Sequence, residues 1–179
     1  MINFLEIDGL NFKIFLSYQD IIERIRIMST ELNASFQDEL PICLIVLNGA
    51  KVFASELLKN LDPLIEISLV KVNSYKGVHS SGTISVDYLP INMIKNRNIL
   101  LIEDIVDSGL TLDFLKKELL SCGAQSVECV TLLFKSKKYS YYKTPEYIGF
   151  SIGEEFVVGY GMDLNEKGRD LKNIYKNFI

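Results

Sequence analysis

At 179 residues, with 48% hydrophobic side chains and a net charge of -4 spread along its length, the chain can bury the core of one domain spanning residues 1–179. It offers no basic stripe, which argues against a nucleic-acid partner. Its apolar runs are far shorter than a bilayer span, and residues 1–6 place no basic region ahead of a hydrophobic stretch, so no membrane partner and a cytoplasmic location are expected.

Residues 1–19 carry little readable chemistry. Residues 20–36 place Ile21, Ile22, Ile25, Met28 and Leu32 at amphipathic spacing, which predicts a helix with one buried stripe. Residues 42–47 read as a buried strand, and the Asn48-Gly49 step after it is either a routine turn or an anion-binding loop ahead of a helix over 52–61. A strand over 65–72 leads into the polar, glycine-containing segment 74–82, which reads as a mobile lid or as an idle hairpin loop before an extended stretch at 83–87. The single histidine, His79, lies there and reads as a solvated loop residue. Cys43, Cys122 and Cys129 are odd in number and lack metal-ligand spacing, so they read as reduced thiols.

The most informative stretch is 99–111. Ile99, Leu100, Leu101 and Ile102 form an apolar run suited to a parallel strand covered on both faces, and it ends in Glu103 and Asp104. A helix is predicted over 110–122, with Leu112, Leu115, Leu119 and Leu120 near one face and Gly123 as its C-terminal cap. Between strand and helix, Ser108 and Thr111 supply hydroxyls and Gly109 lets the backbone come close. The unpartnered first-turn amides suit a phosphate monoester. The adjacent carboxylates suit vicinal hydroxyls or the water shell of a divalent cation. Phosphate at one end and diol at the other describe a ribose 5-phosphate. Further strands are expected over 127–134, near 147–150 and near 156–160, with Lys135 at a strand end where a lysine is usually solvated. Alternating helices and apolar strands predict an α/β fold, a parallel sheet flanked by helices, with ligands at the carboxyl ends of the strands.

The 99–111 stretch resembles the phosphoribosyl diphosphate binding motif of the purine phosphoribosyltransferases, and the likeness continues in family order to Arg169. It implies the type I phosphoribosyltransferase fold, with a small hood formed by the terminal segments. It implies transfer of a phosphoribosyl group to a 6-oxopurine, hypoxanthine and guanine, with Mg²⁺ as cofactor and a homodimer or homotetramer as assembly. By the same likeness, Glu103 and Asp104 hold the ribose hydroxyls and their metal. Asp107, Ser108, Gly109, Leu110 and Thr111 form the 5-phosphate loop, and Asp107 serves as the catalytic proton carrier at the purine imidazole. Asn48 and Gly49, after a cis Leu47–Asn48 bond, contact pyrophosphate together with Arg169. Ser74 and Tyr75 belong to the lid. Lys135 donates to the purine oxygen, Phe156 stacks on the base, and Val157 meets its pyrimidine edge through the backbone. Asp163 is a ligand, direct or through water, of the Mg²⁺ on pyrophosphate. Taken without the likeness, Phe156 and Val157 read as core residues of a strand. Many relatives carry an acid where this chain has Phe134, a local departure. A regulatory protein that senses purine nucleotides without catalysis is the alternative. The chain lacks the glycine signatures of dinucleotide oxidoreductases and of Gly-Lys-Ser/Thr phosphate loops.

Overall fold

The computed structural model describes residues 4–74, 84–141 and 143–178. The chain begins with a hairpin, β1 (Phe4–Ile7) and β2 (Leu10–Leu16), and enters α1 (Tyr18–Ser35). The Ser17 hydroxyl caps that helix by accepting from the Asp20 amide. There follow β3 (Ile42–Leu47), α2 (Lys51–Leu58), β4 (Glu66–Ser74), β5 (Ile84–Tyr88), the single turn α3 (Ile91–Ile94), β6 (Asn98–Val106), α4 (Leu110–Ser121), β7 (Ser126–Lys135), β8 (Tyr147–Ile152), β9 (Val157–Val158) and β10 (Ile174–Asn177).

Six strands form the main sheet in the order β5-β4-β3-β6-β7-β8. All neighbours are parallel except β4 and β5. The expected parallel sheet is therefore mixed at one edge. A parallel return needs a crossover of a dozen or more residues, and the link between β4 and β5 is shorter than that.

Successive residues of the central strands alternate between two cores, which explains why β3 and β6 lack polar alternation. Cys43, Ile45, Leu100 and Ile102 meet Ile21, Ile25, Met28 and Leu32 of α1 and Phe53, Ala54 and Leu57 of α2. Ile42, Leu44, Ile99 and Leu101 meet Leu112, Leu115 and Leu119 of α4. Glu103 and Asp104 are the next two residues of β6, and their side chains come within hydrogen-bonding reach of each other at the sheet end.

A second, antiparallel sheet, β1-β2-β10-β9, joins the two ends of the chain and is the expected hood. Its strand β9 is shorter than the predicted 156–160. Gly159, Tyr160 and Gly161 have φ of 101°, 52° and 103°, and left-handed backbone cannot continue a strand. Val157, Tyr160, Met162 and Ile174 nevertheless belong to the core of α1 and α2, so the hood is packed onto the main sheet and does not hang from it.

Candidate active site

The carboxyl ends of β3, β6 and β7 and the turn after β9 converge on one rim. Glu103 is only 6% exposed, and burial first, then the neighbouring Asp104, pushes its carboxyl well above the usual range. Burial also raises Asp104, opposed by backbone hydrogen bonds, Glu103 and the positive charge of Arg169. A buried acid and a half-buried one side by side at a strand end suit cationic or hydroxylic partners.

Gly109, with φ of 86°, turns the chain into α4, and the Ser108 hydroxyl lies 3.4 Å from the Leu110 amide. The carboxylates and the whole 103–112 run line one cavity of about 230 Å³, with Leu47 across from them. Ser108, Gly109, Leu110 and Thr111 are all on its wall, so the predicted phosphate loop opens onto the same space as the predicted diol-binding acids. The ring of Tyr139 covers the back of this loop: a Cβ on Gly109 would stand 2.3 Å from it.

On the other side of Asp104, the Leu47–Asn48 bond is cis, as the resemblance implies. A Cβ on Gly49 would lie 1.9 Å from Asp104 Oδ2, and one on Gly161 would lie 2.1 Å from the Gly49 carbonyl oxygen. The Asn48-Gly49 turn is thus sandwiched between the acid of β6 and the hood, a place only glycines allow.

A second cavity, about 190 Å³, is lined by Asp104, Ile105, Asp107, Lys135, Phe156, Val157, Met162 and Asp163. It shares Asp104, Ile105 and Asp107 with the first. Lys135 is 4% exposed and its Nζ stands 2.9 Å from Asp107 Oδ2, so the usual reading of a solvated strand-end lysine is wrong here. Val157 is buried, as the core reading expects. Phe156 is 44% exposed, which corrects that reading for it: its ring forms one wall of the cavity and rests on Phe12 at 6.1 Å.

Arg169 donates through Nη1 to the Gly161 carbonyl at 2.9 Å, and its Nη2 lies 2.8 Å from Asp163 Oδ1 and 3.0 Å from Glu166 Oε2. Ser74 closes β4, while Tyr75 and the rest of the expected lid lie outside the described residues. Sequence reasoning missed Lys138, whose Nζ is 3.7 Å from Asp107 Oδ1, and Glu166. Neither stands in a recognisable spacing, because each meets its partner only through the fold.

Among the described residues no three acidic, histidine or cysteine side chains form a metal cage. That is no objection to Mg²⁺, which keeps much of its water shell and takes one or two carboxylates plus substrate phosphates. The acid donors at Glu103, Asp104 and Asp163 fit that chemistry.

A paired-acid strand end, a glycine turn into a helix and an adjoining aromatic cavity are the arrangement expected of a protein that binds a phosphorylated sugar beside a flat ring. Comparison with known proteins agrees: residues 13–165 match the phosphoribosyl transferase domain family. The hypoxanthine-guanine phosphoribosyltransferase of Bacillus subtilis (strain 168) is 35% identical over 163 residues, covering 90% of this chain and 91% of that protein. The enzyme of the same name from Lactococcus lactis is 38% identical over 160 residues, covering 89% and 87%. A crystal structure of a hypoxanthine phosphoribosyltransferase from Staphylococcus aureus superimposes with a TM-score of 0.86 at 32% identity, covering 93% of this chain and 91% of that one. The chain belongs to the phosphoribosyltransferase family, in its hypoxanthine-guanine branch.

Proposed function

We propose that the chain is a purine salvage enzyme that transfers the 5-phosphoribosyl group of phosphoribosyl diphosphate to hypoxanthine and guanine. The products are inosine or guanosine monophosphate and pyrophosphate. One observation carries the reading: the cavity of the acid pair and phosphate turn shares the wall formed by Asp104, Ile105 and Asp107 with the cavity of Lys135, Phe156 and Val157. A sugar in the first and a base in the second would meet at that wall. The nucleotide-sensing alternative finds no such support, since the relatives are named as transferases.

In this reading the amides of 108–111 anchor the 5-phosphate, and the ribose hydroxyls donate to Glu103 and Asp104. Asn48 and Gly49, with Arg169, hold the diphosphate. With both ends fixed, only the anomeric carbon travels toward the base as its bond to pyrophosphate lengthens. The planar fork of Arg169 suits the oxygens of the leaving group, on which negative charge grows. Glu103, Asp104 and Asp163 would hold Mg²⁺, which when bound supplies positive charge against the diphosphate. The purine lies on Phe156, with its pyrimidine edge on the backbone of Val157. Lys135 donates to its exocyclic oxygen, and Asp107 accepts the proton from the imidazole nitrogen that is not glycosylated. An exocyclic amino group would leave the Lys135 donor unpaired, so adenine is rejected.

A cytoplasmic location, where phosphorylated sugars are retained, goes with this function; among the described residues no helix is long and apolar enough to cross a membrane. The homodimer or homotetramer is proposed as well, and β4 leaves Ile67 and Leu69 exposed on one face as candidates for its contact. Initial rates with each purine base, phosphoribosyl diphosphate and Mg²⁺ test the function. Hypoxanthine and guanine should be turned over, and adenine should be slower in kcat/KM on the order of 10⁴-fold. Turnover of adenine at a comparable rate, or of no base at all, would overturn the assignment.

A further inference from the structure

We propose that Asp8, at the tip of the β1–β2 hairpin, is a positioning residue for the diphosphate half of the site, a role that rests on the function proposed above. Asp8 Oδ1 accepts from Lys167 Nζ at 2.5 Å and Oδ2 accepts from Asn165 Nδ2 at 2.9 Å. Its two partners flank Glu166 in a tight turn, closed by reciprocal backbone bonds of 3.0 Å between Leu164 and Lys167. Both central residues of that turn, Asn165 and Glu166, are left-handed, with φ of 52° and 63°. Asparagine tolerates this conformation and glutamate does not favour it, so the turn needs outside contacts to persist.

The turn in turn sets the arginine. The Glu166 amide donates to Asp163 Oδ2 at 2.8 Å, the Glu166 carboxylate accepts from Arg169 at 3.0 Å, and Asp163 Oδ1 meets the same guanidinium at 2.8 Å. If the turn relaxes, Asp163 and Arg169 lose their common frame. Apolar packing beneath the tip supports the clamp: Leu5 and Ile7 of β1 pack with Leu164 and Leu171 on the cluster of Phe12, Val158 and Tyr175. A Cβ on Gly168, whose φ is 92°, would lie only 3.1 Å from Ile7. The hairpin therefore grips the 164–168 segment by an apolar contact on its flank and an ionic one at its tip.

The test compares the full chain with its Asp8→Ala, Asp8→Glu, Lys167→Ala and Asp8→Ala/Lys167→Ala variants. Two readouts are used: calorimetric affinity for pyrophosphate with Mg²⁺, and KM and kcat for each substrate. The Asp8→Ala and Lys167→Ala variants should each weaken pyrophosphate and raise the KM of phosphoribosyl diphosphate about threefold to fivefold, the scale of an exposed ion pair. The double variant should be no worse than either single one, Asp8→Glu should recover most of the loss, and the KM for hypoxanthine should hold within about twofold. Pyrophosphate affinity unchanged in both single variants would overturn the role, as would an equal loss for both substrates together with a lowered melting temperature, which would make the hairpin merely structural. Should the parent protein bind pyrophosphate without transferring phosphoribosyl, the functional reading fails while the calorimetry still decides the role of Asp8.

Discussion

At Gly49 a single hydrogen stands where any other residue would bring a carbon to 1.9 Å from Asp104 Oδ2. Gly49→Ala must therefore displace either the Asn48-Gly49 turn, proposed to hold pyrophosphate, or the acid of β6. Phosphoribosyl diphosphate should bind at least about tenfold more weakly in that variant, as misplacement by about an ångström implies, with hypoxanthine affinity nearly unchanged; calorimetry of the two ligands checks it. Asp107 carries a different burden. Its carboxylate is held by Lys135 and faced by Lys138, so Asp107→Asn keeps the shape of the site and removes the proton acceptor proposed above. That variant should fold and bind phosphoribosyl diphosphate yet lose about 10²–10⁴-fold in kcat, the usual share of general acid–base catalysis; unaltered turnover in a stopped assay would refute the role. The thiols give a third check at this scale. Burial pushes the Cys43 thiol up to about 12 from its ordinary 9.0 and raises Cys129 as well, whereas Cys122 is partly exposed. A thiol reagent at pH 8 should modify Cys122 in the native protein and all three only after denaturation. The linkage has a sign: Cys43 keeps its proton when folded and loses it when unfolded between pH 9 and pH 12, so stability is whole below that window and declines within it. The decline is about 1.4 kcal/mol per pH unit for the one thiol, and Cys43→Ala should remove that component from urea unfolding curves taken at pH 8 and pH 10.

Among the elements, β6 and α4 are the most legible, because one contiguous run carries an unbroken apolar strand, its acids, the turn and the leucine stripe, and β6 pairs with the strands directly beside it in the sheet. The hood was legible only through family likeness. Leu10, Phe12 and Ile14 do alternate with Asn11 and Lys13, a short strand signal that the apolar Phe15 then interrupts. But β2 finds its pairing at Ile174–Asn177, at the far end of the chain, and no local pattern announces such a partner. The short β9 was overdrawn for the opposite reason: apolar residues continue through Tyr160, and what stops the strand is the left-handed backbone at Gly159, Tyr160 and Gly161. Phe156 and Lys135 show the same limit in side chains, since whether a ring faces a cavity or a lysine is buried against an aspartate depends on which neighbours arrive from elsewhere. Leu115 of α4, unlike Leu112, does not line either cavity of the site. Leu115 is fully buried on the far side of the sheet from the hood, so Leu115→Ala should cost roughly 2–5 kcal/mol of stability. Urea unfolding measures the loss, and KM values should stay near those of the parent at a temperature where the variant remains folded.

For the molecule as a whole, the two sheets meet at the site, and function is built from their junction. The main sheet supplies the acids, the 108–111 turn and Lys135; the hood side supplies Phe156, Val157, Asp163 and Arg169. Because Val157, Tyr160, Met162 and Ile174 share a core with α1 and α2, we expect residues 1–179 to behave as one domain. Unfolding followed by circular dichroism and by loss of activity should give one coincident transition, whereas activity lost well before secondary structure would mean that the hood opens on its own. The central claim is that one phosphorylated sugar and one flat base occupy the two cavities on either side of the Asp104–Asp107 wall. A crystal structure of the protein with inosine monophosphate tests it most directly. The account predicts the phosphate on the amides of 108–111, the ribose hydroxyls at Glu103 and Asp104, and the base against Phe156 with its oxygen facing Lys135. A nucleotide bound elsewhere, or seated with its base in the 103–112 cavity, would contradict it.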